Sequence, residues 1–349
     1  MSLIRNPKFS VKLNLDERKQ VLVKLGLQLQ EEGLPEKVIH SAIAHNPWFT
    51  RENIKRANTE IVDAYLTKKE LDEWVAHYAL ELTGGKKVGL LLAGNIPMVG
   101  LHDVICNFLV GHLSLVKLSD KDAILIPYLI AAMVELDERA ASYFELVERL
   151  ASYDAVIATG SDTSGRYFKK YFAEVPHIIR LNRNGVAVIY KDTSDASLEA
   201  LGQDIFRYFG LGCRNVSKLY LEKGFDIQRI FKHIEKYRDL IHHNKYKNNY
   251  DYNHALYMMN QERYLTNDFI ILRENDSVAS RIAALHYAYF EDVQALSAEL
   301  QDRQDQIQCI ISDRPIDGIA RHYEFGKAQQ PGAMDYADGV DTMKFLCEL

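Results

Sequence analysis

A chain of 349 residues, 47% hydrophobic and 26% charged, has the composition of an ordinary globular protein long enough for two domains with separate cores, not of a single small binding module. Its formal net charge of -6 offers no basic field for phosphate backbones, so nucleic acid is not expected as a partner. The four cysteines, Cys106, Cys213, Cys309 and Cys347, form no CxxC pair and no Cys/His cluster at zinc-finger spacing, which argues against a disulfide framework and a structural metal. The first residues lack the apolar core of a signal peptide, and no apolar run reaches the roughly 18 residues of a membrane span. A reducing cytoplasm, where lone cysteines stay as thiols, is the expected location.

Helices are predicted over the first ninety residues. Leu15, Val21, Leu22, Leu25 and Leu27 recur at mixed three- and four-residue spacing, and Gly33 with Pro35 closes the pattern. A second helix starts at Pro35, a third covers 50–65, and Thr67 with Glu70 forms a capping box opening a fourth through Trp74, Val75, Tyr78 and Leu80. The character changes at Gly84-Gly85. An apolar run over 87–93 reads as a strand buried on both faces, followed by a helix over 101–110, a strand over 113–118, a helix over 121–140, a strand over 155–158 and a helix over 163–172. This alternation predicts a mostly parallel sheet whose ligands bind beyond the carboxyl ends of the strands, where the turns 94–97 and 159–161 fall. A second α/β region follows: a strand over 186–190, a helix over 196–209, a glycine-rich turn at 210–212 and a strand over 216–221. The polar, Asn-rich stretch 242–253 reads as a long loop. Residues 325–339 are rich in turn formers, a tail that can lie back over another part of the molecule.

Within this frame Cys213 stands out, in Gly210-Leu211-Gly212-Cys213-Arg214-Asn215. Flanking glycines let the backbone approach a ligand closely, and Arg214 can favour the thiolate; the alternative is a buried cysteine in a tight turn. Cys106 in an apolar helix, Cys309 in the strand-like run 307–311 and terminal Cys347 read as structural. Asn95, in Gly94-Asn95-Ile96-Pro97, can donate its amide to a developing oxyanion or bond its own backbone in an Asx turn. Gly160 and Ser161 with Gly165 open a helix as a phosphate cradle does, and as many ordinary N-caps do. Lys117, ending the second strand, can meet a ribose or phosphate or simply be solvated. His242, His243 and His254 lack converging metal-ligand spacing. No GxSxG elbow, Walker loop or GxGxxG is present, so serine-hydrolase, P-loop and ordinary dinucleotide-fold readings lose ground.

In order along the chain these pieces resemble the aldehyde dehydrogenase superfamily, and within it the acyl-CoA reductase branch, relatives of the luminescence fatty-acyl reductase subunit. Gly94-Asn95-Ile96-Pro97 looks like the superfamily's strand-end motif with its oxyanion-hole asparagine. Lys117-Leu118-Ser119 is similar to its lysine turn at the adenosine ribose, and the run from Thr159 to Arg166 follows its TGSxxxGR pyrophosphate turn. Cys213 falls where the nucleophile is expected. The branch resemblance spans nearly the whole chain, including AGNIPMVGLHDV, GLGCRNVSKLYL and FGKAQQPGAMDYADGVD.

The resemblance implies an α/β, aldehyde dehydrogenase-like fold of two Rossmann-like domains with a helical N-terminal segment. Residues 1–180, with part of the 315–349 tail, would bind the dinucleotide, and 181–314 would form the catalytic domain. It implies reduction of an acyl-CoA or acyl-protein thioester to an aldehyde through a thioacyl-Cys213 intermediate, with Asn95 on the oxyanion. Lys117, Ser119, Gly160, Ser161, Gly165 and Asp268 would hold the cofactor, and no metal is implied. The branch favours NADPH, and Lys121 adds positive charge for a 2'-phosphate, whereas Asp120 suits the free ribose of NADH. One departure is informative: where hydrolytic members carry a general-base glutamate, this chain has Asn182, and an amide cannot take a proton from water at neutral pH. A homo-oligomer is compatible with the resemblance, although the chain is shorter than full aldehyde dehydrogenases and their oligomerisation hairpin is expected to be reduced or absent. The alternatives are an acylating aldehyde dehydrogenase running towards acyl-CoA and, from another class, a non-catalytic dinucleotide-binding scaffold subunit.

Overall fold

The computed structural model describes residues 12–80, 85–319 and 322–349; Gly84 and the first eleven residues of the N-terminal segment read for a signal peptide lie outside them. The fold is α/β and divides into two compact units, one running to Leu181 and completed by Pro331–Leu349, the other Asn182–Gln330.

The first unit opens with α1 (Leu15–Glu31), α2 (Glu36–His45), α3 (Arg51–Ile61) and α4 (Lys68–Val75). Asn14 and Glu17 form a capping box on α1, and the Thr67 hydroxyl accepts from the Glu70 amide to start α4. α3 ends in a π-helical turn, Val62–Leu66, and α4 stops at Val75, short of Tyr78 and Leu80. Then come β1 (Lys87–Leu91), α5 (Leu101–Val110), β2 (Leu113–Lys117), α6 (Leu125–Leu136), β3 (Phe144–Leu146), β4 (Ala155–Thr159), α7 (Asp162–Tyr171) and β5 (His177–Arg180). Among the described residues the sheet runs β3-β2-β1-β4-β5, all parallel. The chain leaves β1 towards β2 and β3 on one side and returns to β4 on the other. Strand order therefore reverses between β1 and β4, and the crevice beyond their carboxyl ends is where such sheets take ligands. The helix expected from residue 121 begins at Leu125, because the Asp122 carboxylate binds the Leu125 and Met98 amides and keeps the preceding residues in a loop. The C-terminal segment packs into this same unit: the Trp74 indole donates to the Tyr336 hydroxyl (2.7 Å), and Arg180, paired with Asp103 at 2.6 Å, donates to the Thr342 hydroxyl.

The second unit contains β6 (Asn184–Ile189), α8 (Asp195–Phe206), β7 (Val216–Glu222), α9 (Gln228–Ile234), α10 (Asn244–Met259), β8 (Leu265–Thr266), β9 (Ile271–Glu274), β10 (Ala284–Phe290), α11 (Val293–Asp302), β11 (Ile307–Ile311) and β12 (His322–Tyr323). Its sheet runs β12-β11-β6-β7-β10-β9-β8 and is parallel except for the antiparallel β8/β9 edge. Ala187 and Ile189 of β6 enter one core while Val186 and Val188 enter another, so both faces are covered and the strand reads as unbroken apolar residues. Two expectations fail here. The stretch 242–253 is no long loop: a 3-10 turn, Glu235–His242, leads into α10, which buries Tyr246, Tyr250, Asn253 and Tyr257 at helical spacing. The helix expected over 196–209 ends at Phe206, because the next residues leave helical geometry.

Candidate functional site

In the first unit the turn after β1 is built on a close approach. A Cβ on buried Gly94 would stand 2.7 Å from the Ser119 side chain and 2.9 Å from the Asp122 amide, so only glycine lets the two turns touch. The Asp122 carboxylate accepts from the Met98 amide at 2.8 Å and the Leu125 amide at 3.3 Å, and burial pushes its pKa up to about 6. Met98 is held with φ at 58°, a costly left-handed conformation for a non-glycine residue three positions after Asn95. Asn95 is half-buried at the carboxyl end of β1. Lys117 ends β2, its carbonyl accepting from Leu92 (3.1 Å), and the Ser119 hydroxyl accepts from the Lys121 amide at 3.2 Å.

The turn after β4 supplies the other wall of this crevice. Ser161 caps α7, accepting from the Ser164 amide at 3.3 Å, and a Cβ on Gly160 would press on Ser164 and Phe168. Gly165 plays a packing part: its Cβ would fall 1.9 Å from a Leu181 methyl, so its absence seats α7 on the β5 side. Asn95, Lys117, Ser119, Gly160 and Ser161 thus share the carboxyl edge of one parallel sheet at its order reversal. The positive end of α7 and the glycine approaches fit the phosphates of a dinucleotide. Among the described residues no group of three or more His, Cys, Asp or Glu side chains is placed to hold a metal ion, and no helix is long and apolar enough to cross a membrane.

In the second unit Cys213 is exposed at the amino end of β7, while Cys106 and Cys309 are buried and Cys347 is half-buried. Burial pushes the Cys106 thiol well up and that of Cys347 up to about 11. The chain reaches Cys213 through three consecutive left-handed residues, Tyr208 (φ 52°), Phe209 (φ 59°) and Gly210 (φ 76°), two of them aromatic and costly in that geometry. Buried Asn215 holds the turn: its amide group donates to the carbonyls of Asp204 (2.9 Å), Ile205 (3.3 Å) and Arg207 (3.0 Å), and its oxygen accepts from the Gly212 amide at 2.7 Å. Fully buried Asp204 accepts from the amides of Gly326 (2.6 Å) and Ala328 (3.0 Å), and burial pushes its pKa up to about 6. A Cβ on Gly185 would meet the Arg214 carbonyl at 2.5 Å, so β6 lies directly against the Cys213 loop. Arg214 is buried with its guanidinium over the Tyr323 ring at 5.1 Å; burial opposes its charge, while Cys309, Tyr323 and Cys213 favour it and raise its pKa on balance.

Asp268 lies in the β8/β9 hairpin, exposed and left-handed (φ 71°), and its amide donates to the Thr266 hydroxyl. Asn182 is exposed. The three histidines do not converge on a metal: His243 caps α10 and His254 stacks on Tyr250. Beside the Cys213 loop lies a cleft of about 60 Å³ whose lining includes Gly210, Asn215 and Tyr246. Reading the sequence missed Asp122, Asp204 and Tyr246, and took Asn215 only as part of a motif. Buried carboxylates that bind backbone amides at long range leave no local pattern, and Tyr246 was hidden in the supposed loop.

The first unit's dinucleotide-type sheet and the second unit's cysteine-bearing sheet together define a fold found among solved aldehyde dehydrogenases. Aldehyde dehydrogenase 21 from Physcomitrella patens matches with a TM-score of 0.69 at 12% identity, over 96% of this chain and 85% of that one. An NAD-dependent aldehyde dehydrogenase from Sinorhizobium meliloti matches with a TM-score of 0.64 at 14% identity, over 86% and 70%. Residues 25–250 match the acyl-CoA reductase (LuxC) family, and the chain belongs to that family. A curated relative, long-chain acyl-protein thioester reductase 2 of Photobacterium leiognathi, is 24% identical over 210 residues, 54% of this chain but only 44% of the relative's own length.

Proposed function

We propose that the chain reduces acyl thioesters, acyl-CoA or an acyl-protein, to aldehydes with a reduced nicotinamide cofactor, through an acyl group carried on Cys213. The observation that carries this is Cys213 itself, the exposed thiol on a glycine-flanked, strained turn in a member of an acyl-CoA reductase family. The Cys213 thiolate attacks the thioester carbonyl, the new C–Sγ bond replaces the C–S bond to the carrier, and the carrier leaves as a thiolate. The Asn95 amide donates to the oxyanion that forms during this exchange, together with the Cys213 backbone amide. Lys117, Ser119 and the Gly160-Ser161 turn, backed by the packing of Gly165, hold the dinucleotide, with Asp268 on the nicotinamide ribose. When bound, that group would supply a hydride to the acyl carbon, and the C–Sγ bond then breaks, releasing the aldehyde and returning Cys213 as a thiolate. The exposed amide of Asn182 cannot activate water, which favours a thiol over water as the partner of the acyl group. A reducing compartment such as the cytoplasm keeps Cys213 a thiol.

NADPH is the proposed reductant, and initial rates with NADPH and NADH test it directly; a strong NADH preference refutes it. For the mechanism, iodoacetamide should label Cys213 faster than Cys106, Cys309 and Cys347, with acyl-CoA slowing it, and Cys213→Ala should abolish thioester-dependent oxidation of the cofactor. Full activity in Cys213→Ala would refute the assignment, and uniform labelling of all four thiols would favour a non-catalytic scaffold.

A further inference from the structure

The turn that follows β2 is closed by its own backbone, the Asp122 amide donating to the Ser119 carbonyl at 3.1 Å, so Asp120 and Lys121 stand at its two corners. Both corner side chains are exposed, one acidic and one basic. Opposite charges on adjacent residues discriminate between ligands only where the backbone that carries them is held. The β1 side holds one end of the turn, through Gly94 and the Asp122 carboxylate. The corners are held from elsewhere, by the last residue of α2 and its C-cap. His45 Nε2 lies 2.6 Å from the Asp120 carbonyl, and a carbonyl only accepts, so this nitrogen carries the hydrogen. The Asn46 amide group donates to the Lys121 carbonyl at 3.1 Å, while its oxygen accepts from the Trp48 amide at 3.0 Å in an Asx turn that fixes the side chain. Asn46 is buried and His45 exposed. Two consecutive side chains thus take two consecutive corner carbonyls, each from 75 positions away in the sequence.

We infer that His45 and Asn46 are positioning residues for cofactor discrimination: by fixing the backbone of Asp120 and Lys121 they set where a carboxylate and an ammonium stand relative to the adenosine ribose, and so how sharply a 2'-phosphate is told from a free hydroxyl. The inference rests on the proposed placement of the dinucleotide at this crevice and narrows it. Specificity is a difference of two affinities, and it needs charges that do not adapt to whichever ligand is present. A 2'-phosphate gains beside a fixed ammonium and is repelled by a fixed carboxylate, to which a ribose hydroxyl donates instead. Loosened corners let each charge follow the ligand, so the preference contracts towards one whichever cofactor the wild type favours.

The test is a titration of the full-length chain with NADPH and with NADH, followed by nicotinamide fluorescence, which gives both Kd values without turnover. His45→Ala and Asn46→Ala should each contract the ratio of the two Kd values about threefold or more towards one, while kcat at saturating cofactor and the rate of Cys213 alkylation stay within about twofold of wild type. His45→Gln, which keeps an N–H donor for the Asp120 carbonyl, should regain most of the wild-type ratio. General loosening of the first unit would instead weaken both cofactors together and would not respond to the glutamine. Because His45 is exposed, its two variants decide the matter even if Asn46→Ala fails to fold. A wild-type ratio already near one, or an unchanged ratio in His45→Ala, would overturn the inference and leave the dinucleotide site standing. So would a ratio lost in His45→Ala and not regained in His45→Gln, the result expected if a charged His45 met the 2'-phosphate directly. Binding of neither cofactor by the wild-type chain would overturn both.

Discussion

Asn215 is the residue on which the Cys213 loop hangs, and Asn215→Ala removes its anchor in one step. The alanine deletes two amide protons shared among the carbonyls of Asp204, Ile205 and Arg207, and the oxygen that takes the Gly212 amide at 2.7 Å. Each buried group left without a partner costs about 1–3 kcal/mol, though carbonyls that already serve the end of α8 lose less than the Gly212 amide does. The left-handed Tyr208 and Phe209, each storing about 1–3 kcal/mol of strain, then have less to hold them and relax, returning part of the loss. The net destabilisation expected is on the order of 3–5 kcal/mol, a large fraction of the roughly 5–15 kcal/mol that holds a typical domain. Urea unfolding, with the second unit followed separately from the first, measures it. Turnover and Cys213 alkylation should change at urea concentrations well below the unfolding midpoint, because the loop loosens before the core. Asn215→Asp keeps the acceptor for Gly212 but sets a carboxylate against three carbonyl oxygens, so it should be no better than alanine. If Asn215→Ala unfolded within 1 kcal/mol of wild type with unchanged alkylation, the strained turn would not depend on this side chain.

Asn95→Ala should lower turnover about a hundredfold or more with little change in thioester KM, the loss expected for one oxyanion donor; a fall below tenfold would remove it from that role. Gly94→Ala drives a methyl into Ser119 and the Asp122 amide, and dinucleotide binding followed by nicotinamide fluorescence should weaken at least tenfold while Cys213 alkylation stays normal. Gly185→Ala, whose methyl meets the Arg214 carbonyl at 2.5 Å, should do the reverse, at about 1–3 kcal/mol of stability. Asp122 and Asp204 each have folded pKa values raised from 3.8 to about 6. The folded state therefore holds the extra protons between those values, and the stabilisation present below pH 4 is lost as pH rises through 6. Wild-type stability should fall between pH 4 and 6.5 relative to an Asp122→Asn/Asp204→Asn chain, and parallel pH profiles would contradict the assignment.

What the sequence revealed and what it hid follow from the range of the forces involved. The runs that became β1, β2, β4, β6 and β7 are buried on both faces, so they announce themselves as apolar blocks between helical patterns. The edge strands β3 and β5 are short and partly exposed, and no block marked them. α10 was missed because its buried stripe is tyrosine and asparagine; counted as polar, Tyr246, Tyr250, Asn253 and Tyr257 erase the very period that places them on one face. Among the candidate residues, the sequence pointed to Cys213, Asn95 and the Gly160-Ser161 turn, each carried by a turn of small residues at a strand end. It could not point to their supports, because Asp122 reaches back twenty-four positions to the Met98 amide and Asp204 reaches forward more than a hundred to Gly326.

Those supports follow one design in both units. Asn95 and Cys213 each lie within five positions of non-glycine residues at positive φ, Met98 after Asn95, and Tyr208 and Phe209 before Cys213. In each case a buried polar side chain holds backbone near the strained residues: Asp122 binds the Met98 amide, and Asn215 binds the Arg207 carbonyl and the Gly212 amide that flank the aromatic pair. A left-handed residue costs stability wherever it occurs, so it persists only where the surrounding bonds over-determine it. Such bonds hold these turns in place, which is what the proposed oxyanion donor and proposed nucleophile need, since a displacement of about 1 Å can cost a hundredfold in rate. A scaffold subunit that only bound dinucleotide would have no use for strain at Cys213, which makes the second unit's turn the stronger physical argument for catalysis.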